Sequence, residues 1–183
     1  MDRSVTVEGA YEGAETVAYT MVASNLPGVV DFTDSYPYEY DEEKAKEYLA
    51  EAGYEEGELT LKAIIGAGDT QRGAIAEILG SYMESIGVTL EIVSVDIATY
   101  ADYIANQPQD WDIAVRSFKN SLDSGVISPH GFWTTSVPDN CHAEDQDTYA
   151  EMMDLATTMS QTLDADERNA TFEELEMEEG HLE

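Results

Sequence analysis

A few groups of residues in this chain have the types and spacing to do chemistry. The densest is Cys141-His142, with His130 and Asp145 nearby in sequence. Thiolate, imidazole and carboxylate together would suit a divalent transition metal. Their spacing matches no established ligand pattern, and adjacent side chains point different ways, so a solvated loop accounts for them. Gly66, Gly68 and Gly73 lie between two apolar runs, where phosphate-cradling loops occur. The dinucleotide fingerprint needs glycine where Gln71 stands, and no Gly-Lys-Ser/Thr is present. The stretch therefore reads as a tight turn opening a helix, its free N–H groups directed at a cleft. Phe118, Phe132 and Trp133 sit in a stretch rich in Ser, Gly, Pro, Asp and Asn. They either fill a satellite core or line a ligand cleft. Arg116, between apolar positions, reads as the partner of one of many carboxylates, with a clamp on a ligand carboxylate as the alternative. No Gly-x-Ser-x-Gly elbow exists, and acidic pairs are too common to single out a hydrolase.

These residues need elements to position them. Residues 1–38 read as irregular: Val5, Val7 and Tyr11 alternate loosely, and Asn25-Leu26-Pro27-Gly28 and Tyr36-Pro37 punctuate a long loop. Asp41 caps a helix with a stripe of Ala45, Tyr48, Leu49 and Ala52, and Gly53 ends it. Leu59 to Ile65 alternates as a strand. Ile75, Ile78, Leu79, Tyr82, Met83 and Ile86 then form the stripe of a second helix, closed by Gly87. Val88 to Val95 is a second strand. Asp96 caps a short helix with Ile97, Tyr100, Ala101 and Ile104 on one side, and Trp111 to Ser117 is a third strand. This β-α-β-α-β order predicts an α/β fold: a parallel sheet, right-handed crossovers, and helices on both faces. After a loop over 118–145, Tyr149, Met152, Met153, Ala156, Met159 and Leu163 predict another amphipathic helix. Asp164 with Glu167 opens one more as a capping box.

The 183 residues suit one domain of ordinary size. Lys and Arg number 8 against 39 Asp and Glu, a net charge of −31. That charge excludes partners that present a phosphate backbone or an anionic membrane surface. Hydrophobic residues make up 43% of the chain, so this is a folded protein and not an acidic tail. The acid runs through every segment that shows apolar periodicity, so it is expected to coat the fold. Such a surface repels itself in dilute buffer and is quenched at molar salt, where the screening length is about 3 Å. The sequence reads as that of a salt-loving organism. A single cysteine excludes an internal disulfide or a Cys-x-x-Cys motif. No apolar run approaches the roughly 20 residues needed to span a bilayer, and no cofactor motif stands out. Met1-Asp2-Arg3 opens no signal peptide, and the last helical pattern stops abruptly at Glu178-Glu179-Gly180. The expectation is a cytoplasmic protein or, favoured by those ends, a piece of a longer one. Asn169-Ala170-Thr171 fits the glycosylation pattern but adds little.

One run is specific. Tyr40-Asp41-Glu42-Glu43-Lys44-Ala45, continuing to Leu49-Ala50-Glu51-Ala52-Gly53-Tyr54, resembles the Y-D-x-x-K-A-x-x-L-L-x-x-A-G-Y segment of family 5 extracellular solute-binding proteins. Leu59-Thr60-Leu61, Ile86-Gly87-Val88, Trp111-Asp112-Ile113-Ala114 and Asp164-Ala165-Asp166-Glu167-Arg168 agree with that family in order, over about residues 36–179. The resemblance implies one lobe of a type II periplasmic-binding-protein fold. Residues 1–38 would lead from a missing lobe, and 39–183 would be a truncated C-terminal lobe. It implies a non-enzymatic receptor of an ABC importer, lipid-anchored outside the cytoplasmic membrane. Such a receptor would take a peptide or other small solute and hand it to membrane subunits. It further implies that the stretch after the third strand meets the ligand: Phe118, Ser121, Asp123, Phe132 and Trp133. The family's peptide-binding members carry W-x-x-D there. Here Ser121 stands at the acid's position, and Asp123 follows two residues later. The alternative is a complete cytoplasmic α/β enzyme or ligand-sensing domain.

Overall fold

The computed structural model describes residues 1–19, 32–33, 39–105, 111–117 and 149–179. They fall into two compact units. One comprises Met1–Val17 with Glu39–Ser117, and the other Ala18–Tyr38 with Phe118–Glu183.

The first unit opens with a helix where the sequence predicts irregular chain. α1 spans Arg3–Tyr11. Alternating valines mislead there, because the cap overrides the pattern. The Asp2 carboxylate accepts from Ser4 N at 2.8 Å and from the Ser4 hydroxyl at 2.6 Å, fixing the first turn. Glu12 ends the helix at φ 54. α1 lies on α3 (Thr70–Ser85), close enough that a Cβ at Gly9 would come within 2.7 Å of Ile78 Cδ1.

β1 (Thr60–Gly66), β2 (Thr89–Val95) and β3 (Ile113–Ala114) form a parallel sheet in the order β2-β1-β3. The first crossover runs from the central strand β1 out to β2, and the second runs back the other way, from β2 past β1 to β3. A single handedness therefore puts their helices on opposite faces, and the register agrees. Ala63 pairs with Ile92, and Ile64 with Val93. α3 meets the face carrying Leu90, Ile92 and Ile65, against which Gly80 and Gly73 approach closely. α4 (Ile97–Ala105) covers the other face, where Tyr100 and Ile104 pack on Ile64, Val93, Val95, Trp111 and Ala114. Ala63 and Ile64 are fully buried, as a strand covered on both faces requires.

The third strand is shorter than the 111–117 expected, and a side chain extends its ladder. Lys62 N donates to the Asp112 carboxylate at 2.7 Å, while Asp112 N donates to Lys62 O. Val115 N closes on Ile64 O. Asp112 thus splices the strand's entrance onto β1, and Trp111 beside it donates Nε1–H to Tyr103 O.

Three apolar stripes need correction. On α2 (Glu42–Glu51), capped by Asp41 as expected, no residue is buried. Tyr48 is 58% exposed, its ring 5.5 Å below Lys44 Nζ. Ile97 is exposed because it is the first residue of α4, held at the end by the Asp96 cap. Leu163 is exposed because it follows α5 (Tyr149–Gln161) instead of belonging to it.

The described elements of the second unit are α5 and α6 (Ala165–Glu179), packed on one another. Met152, Ala156 and Met159 of α5 and Phe172 and Leu175 of α6 are buried, at spacings of three and four. Asp164 accepts from the N–H groups of Asp166 and Glu167 and starts α6.

The α3–β2 turn makes a sharp expectation. Gly87 has φ +80, and a Cβ there would lie 2.7 Å from Glu56 Cγ and 3.2 Å from Glu56 Cα. Gly53 has φ +88 with nothing within 4 Å. Gly53→Ala should cost only the left-handed penalty of about 1–2 kcal/mol. Gly87→Ala should cost more, roughly 2–3 kcal/mol, because backbone must also move. Urea unfolding of both variants checks the order; equal losses would mean the Glu56 contact is soft.

Candidate functional site

In a parallel sheet the strands share one carboxyl edge, and the loops leaving it cluster there. Three such loops are described: Gly66–Asp69 after β1, Asp96 after β2, and Val115–Ser117 after β3.

The glycine stretch is a turn. Ala67 N donates to Val95 O at 2.6 Å, tying the β1 exit to the end of β2, and Gly68 takes φ +84. Asp69 then caps α3, accepting from Arg72 N at 2.9 Å. Its other oxygen pairs with Arg72 Nη1 at 3.3 Å. Arg72 Nη2 donates to the Ser117 hydroxyl across the edge, so one guanidinium joins the β1 and β3 exits. Arg72 Nε–H is buried and has no partner among the described residues.

The β2 exit is fixed by Asp96, which accepts from Ala98 N and Thr99 N and from the Thr99 hydroxyl at 2.6 Å. The Thr99 hydroxyl is the main reason its carboxyl sits below the ordinary value of 3.8. This cap leaves Ile97 64% exposed, its Cδ1 within 3.2 Å of where a Gly66 Cβ would stand. Tyr100 lies one turn further along α4 and donates to Val115 O at 2.8 Å. Burial raises its phenol above the usual value, against the charges of Arg72 and Arg116, which both reach it. Arg116 is exposed, and Ser117 beside it ends the described run.

The edge therefore offers bare glycine backbone, an exposed isoleucine, the exposed Arg116 and the Arg72 guanidinium, the last held by Asp69 and the Ser117 hydroxyl. Such a mixture of apolar surface with a few aimed polar groups suits a small molecule. Of the residues singled out in the sequence, Gly66, Gly68 and Arg116 lie here. Phe118, Ser121, Asp123, Phe132 and Trp133 lie outside the described residues, as do His130, Cys141, His142 and Asp145. No group of three metal-binding side chains occurs among the described residues. Asn169 falls within α6. Sequence reading missed Arg72 and Ile97. A signal existed for Arg72: it is one of 8 basic residues and follows an Asp cap by three positions. Ile97 was hidden because its 3.6 spacing assigned it to the core.

Comparison with known proteins agrees with this architecture. A family model described as bacterial extracellular solute-binding proteins, family 5 (middle), matches residues 1–139. Heme-binding protein A of Haemophilus influenzae is 32% identical over 103 residues, which is 55% of this chain and 18% of that protein. AppA of Bacillus subtilis, solved with a nonapeptide, superposes with TM-score 0.81 at 20% identity, over 98% of this chain and 37% of that one. NikA of Brucella suis, solved with Fe(III)-EDTA, gives 0.80 at 16% identity, over 97% and 37%. At these identities the solved structures establish the fold. The chain spans little more than a third of their length.

Proposed function

The chain belongs to the bacterial extracellular solute-binding proteins of family 5, and from that premise we propose that it serves as one lobe of an ABC-importer receptor. In this reading residues 1–38 lead in from another lobe and 39–183 form the C-terminal lobe. The whole protein sits outside the cytoplasmic membrane on a lipid anchor. It captures a peptide or other small solute by closing two lobes over it and delivers it to membrane subunits, without converting it. The observation that carries this is the family match over 139 residues. The carboxyl edge, with its glycine turn, exposed Ile97 and braced Arg72, supports it as the solute-facing surface. The match also favours this reading over a complete cytoplasmic enzyme. The acid, on the same reading, coats a protein that works in concentrated salt.

In sequence, Phe118 follows Ser117, which stands three residues after the end of β3. We place Phe118 and Asp123 against the solute, Ser121 as a neutral hydrogen-bond partner, and Phe132 and Trp133 as flat apolar surface. Titration calorimetry of the full-length protein and of this chain alone, against di- and oligopeptides, sugars and nickel, tests the reading. The full-length protein should bind and the isolated chain should give flat traces. Micromolar binding by the isolated chain would mean a complete site and defeat the two-lobe reading. In the full-length protein Asp123→Asn should weaken a cationic solute by roughly 1.5–3 kcal/mol, about ten- to 150-fold. Ser121→Asp should improve free-amine peptides. Wild-type affinity in the first with no gain in the second would leave that loop a structural role only.

A further inference from the structure

Among the elements of the first unit α2 is the anomaly. Its Ala45, Tyr48 and Leu49 follow the spacing of a core helix, yet no residue of α2 is buried. Its amino end is fastened to the end of α3, where the Tyr40 ring meets Tyr82 edge-on at 5.0 Å and the Ser85 hydroxyl donates to Glu42 at 3.2 Å. Beside its carboxyl half lies a cavity of about 330 Å³, walled by Leu49 and Ala50 of α2 and by Leu59, Ile86 and Val88. The last three stand just before β1 and β2, so the cavity lies at the amino edge of the sheet, about 20 Å along β1 from the carboxyl edge. Gly57 N donates to Gly87 O at 2.7 Å and Thr89 N to Leu59 O at 2.9 Å, which fixes that wall. An apolar cavity of about 150 Å³ already holds a benzene ring, so this one has room for a large side chain and its stem. We propose that α2 and this cavity form a docking surface for another polypeptide, one that inserts a phenylalanine or leucine there and carries lysines or arginines on either side of it.

Charge identifies the kind of partner. Residues 39–58 hold nine acidic side chains against two lysines, about twice the density of acid in the whole chain. Both lysines are engaged within α2. Lys46, which also lines the cavity, pairs with Glu43 at 3.2 Å, and Lys44 stands over the Tyr48 ring. Glu55 and Glu56 line the cavity and are exposed, so carboxylates flank an incoming apolar group. A second copy would present the same acid and be repelled. A basic segment meets opposite charge, and pairs in direct contact persist where salt quenches longer-range fields. Tyr40, Tyr48 and Tyr54 lie along the same segment, each between 44% and 58% exposed. Tyrosine suits such a surface, because its ring buries against a partner while its hydroxyl stays hydrated at the rim. The carboxyl edge is left free, so docking and solute capture do not compete for the same groups.

The probe is a fluorescent peptide, acetylated and amidated at its ends, with lysines on both sides of one phenylalanine. Its anisotropy is read on the full-length protein in 2 M KCl. Exchanging its phenylalanine for serine should weaken binding about ten- to 150-fold, the worth of burying one large apolar side chain. Exchanging its lysines for glutamates should weaken it about fivefold, the worth of one exposed ion pair. Ala50→Arg, at an exposed helical position on the cavity wall, should weaken the probe at least tenfold without changing the melting temperature. Tyr48→Ser, on the exposed side of α2, should weaken it about fivefold. Ile97→Ser, on the carboxyl edge, should leave it unchanged. No binding, equal binding of the phenylalanine and serine peptides, or unchanged affinity in both α2 variants overturns the inference. If Ile97→Ser weakens the probe and the α2 variants do not, the peptide is being taken as solute: the docking surface fails and the receptor reading stands. Self-association of the full-length protein that Tyr48→Ser abolishes would give the face to a second copy and overturn the inference as well.

Discussion

Replacing Ile64 with Ala is expected to lower the unfolding free energy by about 2–5 kcal/mol, the range for a large-to-small change in a packed core. Ile64 sits on the central strand with no exposure, between Val93 and Ala114 and beneath Tyr100 and Ile104. These neighbours come from two other strands and from α4, so collapse onto the vacated space would have to shift several elements at once. The loss therefore belongs at the upper part of the range. Trp111 packs on the same cluster, so its fluorescence reports the transition locally while circular dichroism reports it globally. Leu163→Ala, at a residue 96% exposed, is the control and should stay within about 0.5 kcal/mol. A loss below 1 kcal/mol for Ile64→Ala would mean that the central strand is not the core of its unit.

The second large effect is that of salt. A net charge of −31 on 183 residues makes the compact state self-repelling in dilute buffer. The screening length falls from about 10 Å at 0.1 M to about 3 Å at 1 M. Melting temperature should rise steeply between 0.1 M and 3 M KCl, with much of the far-ultraviolet helix signal missing at the lower end. Acid is no substitute for salt. Protonation relieves repulsion, but it also attacks the caps. The carboxyls of Asp2 and Asp96 lie below 3.8, held there chiefly by the hydroxyls of Ser4 and Thr99. A depressed carboxyl contributes stability that is complete above its ordinary value and disappears as pH falls through the lowered one. An unchanged or lower melting temperature at 3 M KCl would end the salt-loving interpretation.

Sequence patterning located β1, α3, β2, α4 and α5 because the helices carry apolar residues at helical spacing and the strands carry apolar residues on the faces those helices cover. It failed where burial and repeat part company. α1 has one buried residue, Thr6, and its start is set by Asp2, which no apolar pattern reveals. β3 pairs over two residues, and its entrance is spliced by the Asp112 side chain, so a strand read over the seven residues 111–117 overstated it. α2 has the spacing of a core helix without the burial. Site residues suffer from the same confusion. Ile97 is apolar and in phase with the core, and only the position of the Asp96 cap shows that it stands outside. Arg72 looks like any capping-turn arginine until Ser117, 45 positions away, is found against it.

Asp2, Asp41, Asp69, Asp96 and Asp164 each accept a hydrogen bond from backbone N–H groups at the start of a helix. The acidic side chains of this protein therefore divide into two economies. Among the described residues, those that accept no hydrogen bond carry charge only, and evolution or an engineer can trade them, whereas Asp112, which accepts from Lys62 N, stands with the caps. The cap carboxylates act through an oxygen at hydrogen-bond distance, which ions in solution do not replace and which asparagine supplies nearly as well. A lineage moving to fresh water could shed the first class in any order, while these five positions would accept little beyond Asp, Asn, Ser or Thr. On the proposed salt-loving reading, adaptation to salinity and specification of the fold would be written in the same amino acid, at separable addresses.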